Sequence, residues 1–145
     1  MPMIELREGS DVALPSLFGL YTAVGWTAHT NGERRGDLEK AVANSSFVVT
    51  AWEGELLVGL ARALSDDVSI CYLQDILVHP DFQRRGIGDR LIQACLIRYA
   101  HVRAKVLMTD DEERQRLFYE KAGFRDSKDL VNVRLNTFVQ IDGVD

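Results

Sequence analysis

Basic residues are in deficit in this sequence. Lys and Arg number 17 against 22 Asp and Glu, a formal net charge of −5. That balance gives no electrostatic footing for nucleic acid or an anionic membrane surface, and it suits a cationic partner. Cysteine is scarce as well: Cys71 and Cys95 are the whole complement. They show no metal-ligand spacing, so buried, reduced core thiols are expected rather than a disulfide, and no metal is expected. No apolar run approaches the length of a membrane span, and the N-terminal Met1-Pro-Met-Ile-Glu-Leu-Arg-Glu has no apolar signal core. A cytoplasmic location is the resulting expectation. Repeats, low-complexity tracts and linkers are also missing. The 145 residues are therefore expected to form a single domain, 1–145, long enough for a substantial core.

What is present is a mixture of two periods. Residues 3–7 alternate as a strand does, 13–24 carry helical apolar spacing, and Gly25 is placed to end that helix. The polar stretch 27–36 reads as a loop, after which Asp37 is expected to cap a short helix closed by Asn44. Two β-rich runs, 46–52 and 56–64, flank Glu53-Gly54-Glu55, a hairpin signal. Residues 70–78 (ICYLQDILV) are nearly apolar throughout, as in a strand buried on both faces. Leu91, Ile92, Cys95, Leu96 and Tyr99 then recur at helical steps, predicting a helix over 88–101. A strand over 105–109, a helix from a capping box at Thr109 to Ala122 with Gly123 as its stop, and a last alternating strand over 131–139 complete the order β-α-α-β-β-β-α-β-α-β. The strand–helix–strand unit over 70–109 is a crossover, so its strands should be parallel within an otherwise antiparallel sheet. The class is α+β, with about four helices flanking the sheet.

The connection inside that crossover is Pro80-Asp-Phe-Gln-Arg-Arg-Gly-Ile-Gly88. A loop that enters a helix presents unpaired N–H groups and a partial positive charge, a setting for anions. Gly86 and Gly88 let the backbone curl inward, Arg84 and Arg85 add charge, and Gln83 adds neutral hydrogen bonds. Neither the Walker pattern nor the dinucleotide fingerprint is present. The stretch Val78-His-Pro-Asp-Phe-Gln-Arg-Arg-Gly-Ile-Gly88 instead resembles the acetyl-CoA loop of the GNAT acetyltransferase superfamily, Gln/Arg-x-x-Gly-x-Gly/Ala. A second segment, Leu117-Phe-Tyr-Glu-Lys-Ala-Gly-Phe124, is similar to that family's FYEKxGF run. The two occur in the family's order and spacing, and the resemblance covers residues 46–125.

The resemblance implies a cofactor, acetyl-CoA as co-substrate. Its pyrophosphate would be held by Gln83, Arg84, Arg85, Gly86, Ile87 and Gly88. Its pantetheine arm would pair like an extra strand with Ile76, Leu77 and Val78, where the parallel strands splay. Tyr119 matches the family tyrosine beside the thioester sulfur. Where many members carry Asn and Ala before that tyrosine, this chain has Glu112 and Gln115, and Tyr72 stands where some carry a basic Glu.

Acetyl transfer to an amine requires a neutral nucleophile and a proton for the departing thiolate. A phenol suits the second need, which makes Tyr119 the candidate acid. Asp75, a carboxylate in the most apolar strand, is the candidate base or amine orienter; the competing reading is a structural carboxylate paired with an arginine. Simple alternation turns it away from Gln74 and Ile76. His79 reads as a solvent-facing turn residue. Tyr21, Trp26 and His29 lie where the family forms the lip of its acceptor cleft. The resulting expectation is an N-acetyltransferase acting on a primary amine of a small molecule by direct attack. It predicts neither nucleic acid nor membrane as partner and leaves room for a homodimer. A protein lysine or N-terminus as acceptor, or a non-catalytic acyl-CoA-binding module, are the rivals.

Overall fold

A computed structural model describes residues 3–28, 30 and 34–145. The chain divides into two compact units, Met1–Met108 and Thr109–Asp145.

The first unit holds a five-stranded sheet in the order β1-β2-β3-β4-β5. Its strands are β1 (Ile4–Glu8), β2 (Phe47–Glu53), β3 (Leu56–Ser65), β4 (Ile70–Val78) and β5 (Ala104–Leu107). The first three pairings are antiparallel and β4–β5 is parallel, as the crossover requires. Helices α1 (Leu14–Ala23) and α2 (Arg35–Ala43) pack on one face, where Leu17, Leu20, Tyr21, Leu38 and Val42 form a core with Val48, Leu57, Leu60 and Leu77 of the sheet. Gly25, at φ +82°, closes α1 and turns the chain so that the Trp26 N–H donates to the Tyr21 carbonyl at 2.9 Å. Helix α2 begins at Arg35, so Asp37 lies in its first turn rather than at its cap; Asn44 is its C-cap as expected.

Helix α3 (Ile87–Arg98) covers the opposite face with a buried stripe of Ile87, Leu91, Ile92 and Cys95. It approaches the sheet at Gly59: a Cβ there would stand 3.0 Å from Leu91 Cδ1 and 3.2 Å from Ile87 Cγ2. Cys71 and Cys95 are both buried, and burial, then the neighbouring Cys71, pushes the Cys95 thiol up to about 12.

A β-bulge decides which side chains of β4 meet which helix layer. Arg62 is paired with Asp75, but the next residue of β3, Ala63, is paired with Leu73, so Gln74 is the extra residue on β4. Cys71, before the bulge, lies near Cys95 of α3. Leu77, six residues later and of the same parity, belongs to the core under α1 and α2. One inserted residue has moved the remainder of the strand to the other face.

The second unit contains α4 (Glu113–Lys121) and a 3-10 turn at Ser127–Asp129. Arg116 of α4 pairs with Glu120 at 3.0 Å and with Asp129 at 2.5 Å. The capping box expected at Thr109 does not form: Glu112 is the N-cap of α4 and makes no side-chain cap bond. The strand expected over 131–139 is also corrected. No ladder forms there among the described residues, and Val131, Val133, Leu135 and Val139 are exposed, with Phe138 at 93%. Alternation marks a segment able to cover a sheet face, but a strand exists only with a hydrogen-bonded neighbour.

The close approach at Gly59 makes a prediction. Gly59→Val should lower the urea midpoint by an amount equivalent to about 1–3 kcal/mol, the usual cost of overpacking. An unchanged midpoint would contradict the described packing of α3 on β3.

Candidate active site

The ladder between β4 and β5 runs from Ile70↔Ala104 to Leu73↔Leu107 and ends there. Beyond it, β4 continues to Val78 with β3 alone as neighbour, Ile76, Leu77 and Val78 pairing with Ala61, Leu60 and Gly59. The His79 N–H donates to Val58 O of β3 at 2.8 Å. Backbone groups alternate along a strand, so those of Val78 and Ile76 point the other way, into the gap beside β5. The Val78 carbonyl meets the Gln83 side chain there, whose Nε2 donates at 3.2 Å. The parallel strands thus part where an extended amide chain could add itself to β4.

At the end of that gap the loop folds back through a 3-10 turn, Pro80–Phe82, into α3. His79 is half-buried rather than solvent-facing. Its Nδ1 accepts the Asp81 N–H at 3.1 Å, and its ring stands edge-on to Phe82 at 5.6 Å. Arg85 lies over the Phe82 ring, its Cζ 5.0 Å from the ring centroid. Arg84 adopts φ +65° although it is not glycine, a conformation that costs roughly 1–2 kcal/mol. Gly86 follows at φ +76° as the N-cap of α3. It supplies no side-chain cap, and a Cβ on it would meet nothing within 4 Å. Ile87 buries its side chain in the core, so only its backbone faces the loop.

These residues fit the CoA pyrophosphate implied by the sequence. The α3 N-terminus keeps uncapped N–H groups, open space lies above Gly86, and Gln83, Arg84 and Arg85 are exposed around it. Acetyl-CoA, when bound, supplies an acetyl group activated as a thioester.

On the α1/α2 face, Asp75 is the centre of a polar cluster that the sequence only half revealed. Its Oδ2 accepts from Tyr21 Oη at 2.8 Å and from Arg62 Nε at 2.6 Å. Arg62 Nη1 continues to Ser45 Oγ at 3.3 Å, and Ser45 Oγ donates to the Ala41 carbonyl at 2.9 Å. The Arg62 and Asp75 side chains are each 12% exposed. Burial, then the charge and hydrogen bond of Asp75, raises the Tyr21 phenol far above its ordinary value, so it remains a donor. Burial also opposes the Arg62 charge, but the Asp75 carboxylate outweighs it and the guanidinium is held above its usual range. Trp26, 42% exposed, stands edge-on to Tyr21 at 6.2 Å between centroids.

The structure therefore brings Tyr21, Trp26 and Asp75 together and adds Arg62 and Ser45, which the sequence reading had not singled out. The available signal was an arginine inside the apolar run of β3, a charge requiring a buried partner. Tyr119 lies on α4 in the second unit. Half-buried, it stands edge-on to Phe118 at 5.0 Å and to Phe124 at 6.2 Å, and its carbonyl accepts the Phe124 N–H at 3.0 Å. His29 lies outside the described residues.

The open space above Gly86 yields a prediction for CoA titration calorimetry. Gly86→Val should remain folded despite a cost of about 1–2 kcal/mol from its positive φ, while its affinity for CoA falls at least tenfold. A folded variant with unchanged affinity would show that the cradle lies elsewhere.

A family model described as "Acetyltransferase (GNAT) domain" matches residues 21–140. An uncharacterised N-acetyltransferase, ycf52, of Gracilaria tenuistipitata var. liui is 28% identical over 123 residues, covering 83% of this chain and 66% of that protein. The chain thus spans about two thirds of the length of this relative. Among solved structures, a GNAT-family acetyltransferase of Streptococcus pneumoniae is 31% identical, with a TM-score of 0.77 over 93% of this chain and 98% of its own. An aminoglycoside N-acetyltransferase, AAC(6')-Iy, solved with CoA, shares the fold at 21% identity and a TM-score of 0.65, covering 93% and 96% of the two chains. With the parted strands, the glycine-led helix and a family match spanning most of its length, this chain belongs to the GNAT acetyltransferase family.

Proposed function

We propose that the chain transfers an acetyl group from acetyl-CoA to a primary amine, by direct attack of the amine on the thioester. The observation that carries this reading is the early end of the β4–β5 ladder at Leu73↔Leu107, immediately before the backbone of Ile76 and Val78 and the uncapped start of α3. The backbone groups of Ile76 and Val78 hold the pantetheine arm, Leu77 between them being turned to β3, and Gln83 to Gly88 hold the pyrophosphate. No covalent enzyme intermediate is needed. Both cysteines are buried, and burial holds each thiol above its ordinary value, which favours the unreactive protonated form.

In this reading the acceptor is a small amine, favoured by the net charge of −5 because free amines are cations in bulk water. Asp75 receives and orients the amine on the α1/α2 face, beside Tyr21 and the exposed ring of Trp26. Its pairing with Arg62 and Tyr21 supports orientation over service as a free base. Tyr119 Oη holds the proton for the leaving thiolate.

Tyr119→Phe tests the last role. The substitution keeps the ring and its edge contacts and deletes only the hydroxyl. If Tyr119 is the acid, kcat for acetylation should fall by roughly 10²- to 10⁴-fold, with the melting temperature little changed. The loss should shrink with an acyl donor whose thiol is more acidic. A rate within a fewfold of wild type, with chemistry limiting, would remove Tyr119 from the reaction. Thiol release measured against small amines and lysine-bearing peptides distinguishes the acceptor classes, and CoA binding without release in either would indicate a binding module.

A further inference from the structure

Both hydrogen bonds to Asp75 end on the same oxygen. Tyr21 Oη and Arg62 Nε reach Oδ2, at 2.8 and 2.6 Å, and Oδ1 has no hydrogen-bond partner among the described residues. A carboxylate held by two donors on one oxygen has its plane fixed and its second oxygen turned outward. The two donors come from different layers, Tyr21 from α1 and Arg62 from β3. Arg62 also reaches, through Ser45 Oγ, the last turn of α2. Its guanidinium fork thereby ties the end of α2 to the carboxylate on β4. Lysine, with a single ammonium, cannot span both partners in the same way.

We propose that Arg62 is a positioning residue for the amine acceptor. Together with Tyr21 it locks Oδ2 of Asp75, so that Oδ1 alone is presented to the incoming amine. The bond to Ser45 fixes the end of α2 relative to that oxygen. This rests on the reading that Asp75 faces the acceptor. It adds that the acceptor meets a carboxylate already matched by a buried cation. Such a pair orients an amine by a hydrogen bond without the excess negative charge that would hold it as an ammonium, and the attacking species must be the neutral amine.

The test is a double-mutant cycle on the full chain, using Arg62→Met, Asp75→Asn and the double variant, with Arg62→Lys as the conservative replacement. The probe is whichever of butylamine, ethanolamine, spermidine and lysine wild type acetylates best, with acetyl-CoA as donor. Arg62→Met should lower kcat/KM for the amine at least tenfold and leave KM for acetyl-CoA within twofold. Arg62→Lys should recover part of the loss. The double variant should be no slower than Asp75→Asn alone, because the two side chains act as one unit. Equal losses toward amine and acetyl-CoA, or losses that multiply in the double variant, would assign Arg62 a structural role and overturn the proposal. Wild-type turnover unaffected by Arg62→Met would overturn it while leaving the acetyltransferase reading intact. A wild type that binds CoA and acetylates none of the four amines would overturn the small-amine reading, and this proposal with it.

Discussion

The extra residue at Gln74 is the constraint on which the rest of the arrangement depends. Strand β4 lies between a face covered by α3 and a face covered by α1 and α2, and its odd-numbered residues begin on the first. Had the period of two continued, Asp75 would have followed Cys71 toward the apolar stripe of α3. A carboxylate buried there without a partner costs several kcal/mol. The bulge turns it instead toward Arg62 and Tyr21 and sends Leu77 into the core beneath α1 and α2. Pairing with β5 ends at Leu73, the residue immediately before the bulge. One local irregularity thus coincides with both the freeing of the β4 edge beyond Leu73 and the placement of the Asp75 carboxylate against Arg62 and Tyr21.

The loop after β4 continues the same division of labour. It carries two successive requirements for positive φ, at Arg84 and Gly86, and only one is met by glycine. The strain at Arg84 is held between fixed points: His79 bonded to β3, Phe82 buried and in contact with His79 and Arg85, and Ile87 sunk into the core. Rigid neighbours on both sides keep the helix start open rather than collapsed on its own side chains.

Much of this was legible in the sequence because it depends on local signals. The helix end at Gly25, the hairpin at Gly54, the strand over 70–78 and the loop led by Gly86 all rest on residue types whose backbone preferences dominate their surroundings. The bulge was not legible, because ICYLQDILV is apolar on both faces and carries no alternation to be interrupted. Arg62 was missed for a related reason: its partner is thirteen residues away, and the pairing depends on the register that the bulge sets. The error over 131–139 is the converse. Val131, Val133 and Leu135 alternate with polar residues, as does Val139 after the break at Thr137-Phe138, yet the pattern contains no information about which edge would accept them.

Backbone amide exchange reads directly whether the parted edge of β4 receives the cofactor as an additional strand. In the free protein the Ile76 and Val78 amides, turned away from β3, should exchange quickly, while the His79 amide, bonded to Val58, should be protected. Saturating CoA should slow exchange at Ile76 and Val78 and leave His79 as it was. Strong protection of those two amides before CoA is added, or exchange that CoA does not slow, would contradict the account.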